Sequence, residues 1–241
     1  MHRTLARLGQ IAKAMSSNSK LQEFSTCEIS DALIKLAVPN GGYIPDINMV
    51  SPTTTEPSVR VCGPAYTVKM VLGSNTSAPK LSAHFVDTAP ADHVVVIDAP
   101  PEAKNAVWGG LMTAGAQANG ALGVVISGRC RDLSEHRSLG FPVFSRGHST
   151  LGQSPFTRPS EINIPVQIQP QGAGAEAFPA VTVVPGDWIV ADQDGVVCVP
   201  VALESKVLEL AAKGRAIDEK CMQDIKAGKG VQNSFKLHRG K

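Results

Sequence analysis

The sequence predicts a mixed α/β fold built as one layered domain, and three observations carry that expectation. His93 to Asp98 (HVVVID) is a short, nearly continuous β-branched run, the pattern of a strand buried on both faces. A helix-like stretch from Gly109 to Asn119 then leads into a second apolar strand, Gly123 to Ser127. From Ile162 onward the pattern turns β-rich and closes on a long terminal helix. Strands and helices mixed along the chain, with no linker to divide it, fit layers packed around shared cores.

The first helix covers Cys27 to Leu36. Ser25 or Thr26 can cap it, and Ile29, Leu33 and Leu36 supply an apolar stripe. Pro39-Asn40-Gly41-Gly42 ends it. Val59 to Val71 alternates loosely and reads as a strand with a bulge or bend at Gly63-Pro64. Gly120 terminates the helix of 109–119. After the strand of 123–127 come a loop from Gly128 to Arg131, a helical turn from Leu133 to Ser138, and a short strand over Phe141 to Phe144. Farther on, PVQIQ, AVTVV and DWIVADQDGVVCVP read as strands, with Asp194-Gly195 as a hairpin signal. Val201 to Ala227 forms the terminal helix, continuous or bent near Gly214. Residues 1–20 are expected to be an extension or helix, 21–230 the domain, and 231–241 a flexible polar tail.

The 241 residues suffice for a sizeable core, and 43% hydrophobic against 18% charged residues argues against wholesale disorder. A formal net charge of +2 gives no electrostatic footprint for nucleic acid. No window approaches the roughly 20 consecutive apolar residues of a membrane-spanning helix. The five cysteines (Cys27, Cys62, Cys130, Cys198, Cys221) form no C-x-x-C pair and read as reduced thiols. A cytoplasmic location follows. The basic, acid-free N-terminus with Leu5, Leu8 and Ile11 at helical spacing also has the composition of a mitochondrial transit peptide, or of an ordinary first helix ahead of a second start at Met15.

Several motifs carry little. Gly172 to Ala177 (GAGAEA) matches a dinucleotide fingerprint in form only, because Pro179 and a strand follow where a helix is required. Ser17-x-x-Lys20 lies in a polar segment and is chance. None of the six histidines sits at i, i+4 from another, and His136 reads as a surface helix residue. Lys69 and Lys104 have no context that would depress their pKa, so they read as solvated lysines rather than Schiff bases.

Arg131 and Asp132 carry more. An arginine fork can clasp a carboxylate in two parallel bonds. An aspartate beside it is a hard oxygen ligand suited to Mg²⁺. The pair leaves an apolar strand through a glycine turn, and α/β ligand sites favour the carboxyl ends of strands. Upstream, the helix start after Trp108 offers unpaired backbone N–H groups that suit an anion. Together they describe a pocket for a small oxo-acid beside a metal. Taken alone, an Arg-Asp dipeptide is also an ordinary capping aspartate next to a solvated arginine.

The spacing G-x20-R-D-x2-E, met by Gly110, Arg131, Asp132 and Glu135, resembles the signature of the 4-hydroxy-4-methyl-2-oxoglutarate aldolase family, which shares its fold with the ribonuclease regulator RraA. FSTCEISDAL from Phe24, RVCGPAYTV from Arg60, GFPVFSRG from Gly140 and VPGDWIVADQDGVVCVP from Val184 extend the likeness over about residues 21 to 230. The first of these is most similar to a eukaryotic, fungal-type branch. The resemblance implies an RraA-like α/β/β/α fold akin to the swivelling phosphohistidine domain, assembled as a homotrimer or dimer of trimers. It implies a class II aldolase, dependent on Mg²⁺ or Mn²⁺, that releases pyruvate from 4-hydroxy-4-methyl-2-oxoglutarate or 4-carboxy-4-hydroxy-2-oxoadipate and also decarboxylates oxaloacetate.

Residue by residue, the resemblance makes Arg131 the substrate-carboxylate arginine and Asp132 the metal ligand. Gly109, Gly110, Leu111 and Met112 become the turn whose amides meet pyruvate. Glu135 and Glu219 become outer-shell acids, Glu219 reaching in from a neighbouring subunit. One position departs: many bacterial members carry an acid where this chain has Gly110, so Asp98, Glu102 or Glu28 must substitute or activity falls. The alternative class is a non-catalytic RraA-type regulator that binds a ribonuclease or helicase, which has no need of the Arg131-Asp132 pair.

Overall fold

The computed structural model describes residues 19–53, 59–172, 174–175 and 178–240. Residues 1–18, which carry most of the transit-peptide reading and Ser17 of the Ser17-x-x-Lys20 reading, therefore lie outside the described residues, as does part of the GAGAEA stretch.

Among the described residues five α-helices form: α1 (Thr26–Lys35), α2 (Gly110–Ala118), α3 (Leu133–Leu139), α4 (Glu204–Lys226) and α5 (Val231–His238). The strands are β1 (Tyr43–Ile44), β2 (Asn48–Ser51), β3 (Val61–Leu72), β4 (Val94–Asp98), β5 (Ala106–Trp108) and β6 (Gly123–Cys130). They continue with β7 (Val143–His148), β8 (Thr157–Ile162), β9 (Val166–Ile168), β10 (Val181–Val183), β11 (Trp188–Asp192) and β12 (Gly195–Val199).

Hydrogen bonding links β1-β12-β11-β3-β4-β6-β7-β2 in that order, with β5 joined to β6 and β8 to β3; β9 and β10 pair separately. The strand β3 joins two layers. Val61 to Pro64 pair antiparallel with β11, whereas Ala65 to Lys69 pair parallel with β4. Gly63-Pro64 is thus where β3 changes partner. The register shift in this strand falls later, between Lys69 and Met70 opposite β8.

Side-chain alternation then builds three cores between four layers, since successive residues of a strand face opposite sides. Val95 and Ile97 of β4, with Val124 and Ile126 of β6, pack toward α2 and the segment carrying Phe85 and Val86. Val94, Val96 and Val125 point the other way, against Ile189 and Ala191 of β11 and Val196 of β12. The far side of that second layer, with Val190, Val197 and Val199, meets Ile29 and Leu33 of α1 and Val207 of α4. The result is α/β/β/α, and β4 reads as continuously apolar because both of its faces are buried.

Local chemistry fixes the ends. Ser25 and Glu28 form a reciprocal capping box at α1. The buried Asp192 carboxylate accepts from Thr26 N–H and Oγ1–H and from Asp194 N–H, which ties α1 to the β11–β12 hairpin. Asp192 pairs with Gly195, so Gln193-Asp194 occupy the turn itself.

Two expectations are corrected and one alternative is decided. The strand β6 continues through the expected loop to Cys130, because β5 pairs with its last residues. Of the two forms expected for the terminal helix, α4 takes the continuous one and runs unbroken across Gly214. Residues 231–238 form α5 rather than a loose tail: Ser234 is buried and its hydroxyl donates to the Cys221 carbonyl at 3.3 Å.

Candidate active site

The strands β5 and β6 run parallel and end side by side, Trp108 opposite Cys130. From Trp108 the chain turns at Gly109 into α2; from Cys130 it passes through Arg131 and Asp132 into α3. Arg131 N–H donates to the Trp108 carbonyl at 2.9 Å, which locks the two exits together. Asp132 adopts left-handed backbone, φ 61° and ψ 45°, a conformation that aspartate tolerates better than most residues. Its Oδ2 accepts from Gly110 N–H at 3.0 Å and lies 3.4 Å from Arg131 Nε. Both contacts fall on Oδ2.

A cavity of about 230 Å³ opens at this junction, lined by Gly109, Leu111, Met112, Arg131 and Asp132 together with Trp108, His84, Gln153 and Ser154. Position in the helix leaves the Leu111 and Met112 amides without intrahelical partners, since the first return bond is Thr113 N–H to the Gly109 carbonyl. The site therefore offers an arginine fork, a carboxylate and first-turn amides on one wall.

Two glycines make room for two carboxylates. A Cβ on Gly109 would sit 2.6 Å from Asp132 Oδ2, and a Cβ on Gly110 would overlap the Glu135 carboxylate. The acid missing at position 110 thus has its space filled from α3. Asp98, Glu102 and Glu28 are not among the cavity-lining residues. Glu28 is held by Arg215, at 2.6 and 2.8 Å, which with the capping bonds lowers its pKa to about 2. Burial pushes Asp98 up to about 6 against the opposing pull of Arg146 and Lys69.

Behind the wall lies a buried relay. Trp108 Nε1–H donates to Thr113 Oγ1 at 2.8 Å, and that oxygen is 2.9 Å from His136 Nδ1. His136 is 0% exposed, which corrects the surface reading. Burial lowers its pKa, so the ring is held neutral. Helical spacing alone could not show this, because α3 is a short helix whose inner face meets α2.

The remaining sequence candidates lie apart. Glu219 is exposed on α4 beside Arg215 and does not line the cavity of its own chain. Lys69 pairs with Glu161 at 3.8 Å, and Lys104 is exposed. Cys130 is buried in the core, where desolvation raises its thiol pKa. His84, Gln153 and Ser154 escaped sequence reasoning, since they come from irregular segments with no periodic or motif signal.

The donor set bears on a metal. Among the described residues no group of three His, Cys, Asp or Glu side chains converges to hold one. Asp132, with Glu135 beside the same glycine pair, instead suits a hard cation that keeps most of its water and takes one or two carboxylates, as Mg²⁺ does. No helix among the described residues is long and apolar enough to cross a membrane.

Comparison with known proteins places this geometry in context. A family model described as RraA-like, Aldolase/RraA, matches residues 26–198. A protein of Halalkalibacterium halodurans named "Putative 4-hydroxy-4-methyl-2-oxoglutarate aldolase" is 35% identical over 160 residues, 66% of this chain and 69% of that one. A crystal structure of an uncharacterised protein from Pseudomonas syringae pv. tomato superposes with TM-score 0.72 at 28% identity, covering 89% of this chain and 94% of that one. RraAS2 of Streptomyces coelicolor, described as an unusual member of the RNase ES inhibitor RraA family, superposes with TM-score 0.65 at 23% identity, over 86% of this chain and 93% of its own.

Proposed function

This chain belongs to the Aldolase/RraA family, and from that premise we propose that it is a lyase of small oxo-acids. It cleaves 4-hydroxy-4-methyl-2-oxoglutarate or 4-carboxy-4-hydroxy-2-oxoadipate to pyruvate and a second oxo-acid, and it decarboxylates oxaloacetate. The observation that carries the reading is the meeting of Arg131, Asp132 and the first-turn amides of α2 in one cavity.

Each of these reactions breaks the bond between C3 and C4 of a 2-oxo-acid. The bonding electrons move into a C2–C3 double bond and leave negative charge on the keto oxygen. In the aldol substrates the 4-hydroxyl loses its proton as the new carbonyl forms; in oxaloacetate C4 departs as CO₂. C3 then takes a proton and the product is pyruvate. The barrier falls when charge on the keto oxygen meets fixed positive groups.

Arg131 clasps the C1 carboxylate, and the Leu111 and Met112 amides fix its register, which supplies the orientation term. The apolar wall of Val107 and Trp108 keeps bulk water from the reacting carbons. Asp132, with Glu135 in the space left by Gly110, would hold the divalent cation, Mg²⁺ or Mn²⁺. When bound, that cation supplies Lewis-acid charge beside the keto oxygen. The assembly belongs to the same reading: a homotrimer or dimer of trimers, in which Glu219 of the partner subunit reaches the site.

The test is a coupled assay of pyruvate release from oxaloacetate and both aldol substrates, with and without EDTA. Release that EDTA abolishes and Mg²⁺ or Mn²⁺ restores is the expected result. No pyruvate from any of the three would defeat the lyase reading in favour of a non-catalytic regulator.

A further inference from the structure

We propose that His84, with Lys80 beyond it, forms a second anion subsite that receives the distal carboxylate of the substrate. The site would then select oxo-acids with two or more carboxylates over those with one. The inference rests on the lyase reading for its substrate class.

The residues lining the cavity include three titratable side chains: Arg131, Asp132 and His84. Arg131 and the α2 amides answer the carboxylate next to the keto group. A second carboxylate on the same molecule must find another donor or lose hydration without compensation. Trp108, Val107, Ala106 and Met112 offer it none on their side chains apart from Trp108 Nε1–H, and that proton is committed to Thr113. The neutral Gln153 amide and Ser154 hydroxyl also line the cavity, and His84 is the one imidazole among its lining residues, on the side shared with the hollow of Lys80.

Its chemistry is set by its neighbours. His84 Nδ1 accepts from Val86 N–H at 3.2 Å, so the ring's proton resides on Nε2. In that tautomer Nε2–H is a donor that can hold an oxyanion. The ring is placed by stacking on Phe85, centroids 4.9 Å apart, and Phe85 is itself fully buried against Trp108.

His84 also borders a second, shallower hollow of about 430 Å³, shared with Lys80, Ser82 and Arg158. The guanidinium of Arg158 is already spent on chain: it donates to the Asn75, Ala78 and Pro79 carbonyls at 2.6 to 2.7 Å. It straps down the segment that carries both Lys80 and His84, while the exposed Lys80 stays available. An anion extending out of the cavity past His84 thus enters a hollow with a lysine on its rim.

The experiment is calorimetric titration of the whole protein, in Mg²⁺, with pyruvate and with 2-oxoglutarate, neither of which can be cleaved at C3–C4 by this chemistry. Loss of a hydrogen bond to a charged group predicts that His84→Leu weakens 2-oxoglutarate by about 10-fold or more, on the scale where 1.4 kcal/mol is tenfold. Pyruvate should change less than about twofold. His84→Gln, which keeps an N–H donor, should recover part of the loss, and Lys80→Met should cost about two- to fivefold for 2-oxoglutarate alone. Equal losses for both ligands, or none for either, would overturn the subsite, as would a wild-type protein that binds neither. A 2-oxoglutarate-selective loss in His84→Leu, beside a wild type that releases no pyruvate from any substrate, would sink the lyase reading and leave the subsite standing.

Discussion

The Glu135 carboxylate lies in the space that a side chain on Gly110 would fill. Gly110 N–H at the same time donates to Asp132, three residues before Glu135. One glycine therefore registers both acids of α3 against the start of α2. A substitution there acts on the carboxylates before it acts on the fold, because Glu135 is exposed and can swing away.

That relationship predicts that Gly110→Ala and Glu135→Ala fail in the same way. Each should lower turnover by about 10-fold or more with little change in melting temperature, and the double variant should be no worse than either alone. Such non-additivity is the mark of two changes that remove one interaction. Steady-state pyruvate release on the four proteins of the cycle checks it; additive losses would show that Glu135 contributes nothing through Gly110.

Asp132→Asn is expected to keep the fold, since asparagine also tolerates left-handed backbone and can still accept from Gly110 N–H. The lost charge should cut turnover by about 100-fold or more, on the scale of removing one electrostatic stabiliser, and raise the Mg²⁺ concentration needed for half activity. Arg131→Lys should weaken pyruvate binding and slow turnover together, because an ammonium cannot form the two-bond fork. An Asp132→Asn protein with undiminished oxaloacetate decarboxylation would remove Asp132 from the chemistry.

Much of this was legible in the chain, and the failures share a cause. The strand β4 stood out because two buried faces demand an unbroken β-branched run. The order strand then helix placed Arg131 and Asp132 at a strand end, and the structure sets them there beside Gly109 to Met112, although the turn expected at Gly128 is part of β6. Short-range patterns could not show His136 turning inward, since that depends on α2 packing across α3. Nor could they find His84, whose place on the wall is decided by Phe85 sinking into a core formed by residues far away in sequence. The strand β5 has three residues and no period to read; pairing with β6 creates it. Family resemblance flagged an acid as missing at 110, but only coordinates reveal which side chain occupies the gap.

The buried relay predicts a stability effect with a clean control. Thr113→Val keeps shape but strands the Trp108 Nε1–H and the His136 ring nitrogen. Leaving two buried polar groups unpaired should cost about 2–4 kcal/mol in urea unfolding. Thr113→Ser retains the hydroxyl and should lose about 1 kcal/mol or less, the share of one buried methyl group. Equal costs for the two variants would mean that packing, not the hydrogen bonds, sets the value of this position.

Asp98 gives a pH dependence whose sign can be worked out. Burial holds its carboxyl up at about 6, above the usual carboxylate range, despite Arg146 and Lys69. An acid with a raised folded pKa is ionised first in the unfolded chain, so the folded state binds more protons between the two values. Its contribution is therefore neutral below about pH 4 and grows unfavourable as pH rises toward 6, where it levels off. Asp98→Asn removes the titration and keeps the volume. The variant should be more stable than the parent at pH 7 to 8, and the advantage should shrink steadily to nothing as pH is lowered to about 4. Arg146 does not depend on Asp98 alone, since it also donates to the Pro45 and Gln169 carbonyls and pairs with Asp46 at 3.4 Å. Denaturant midpoints across that range decide the matter: an advantage that grows toward acid would show that Asp98 is held ionised by Arg146, with the burial cost overcome.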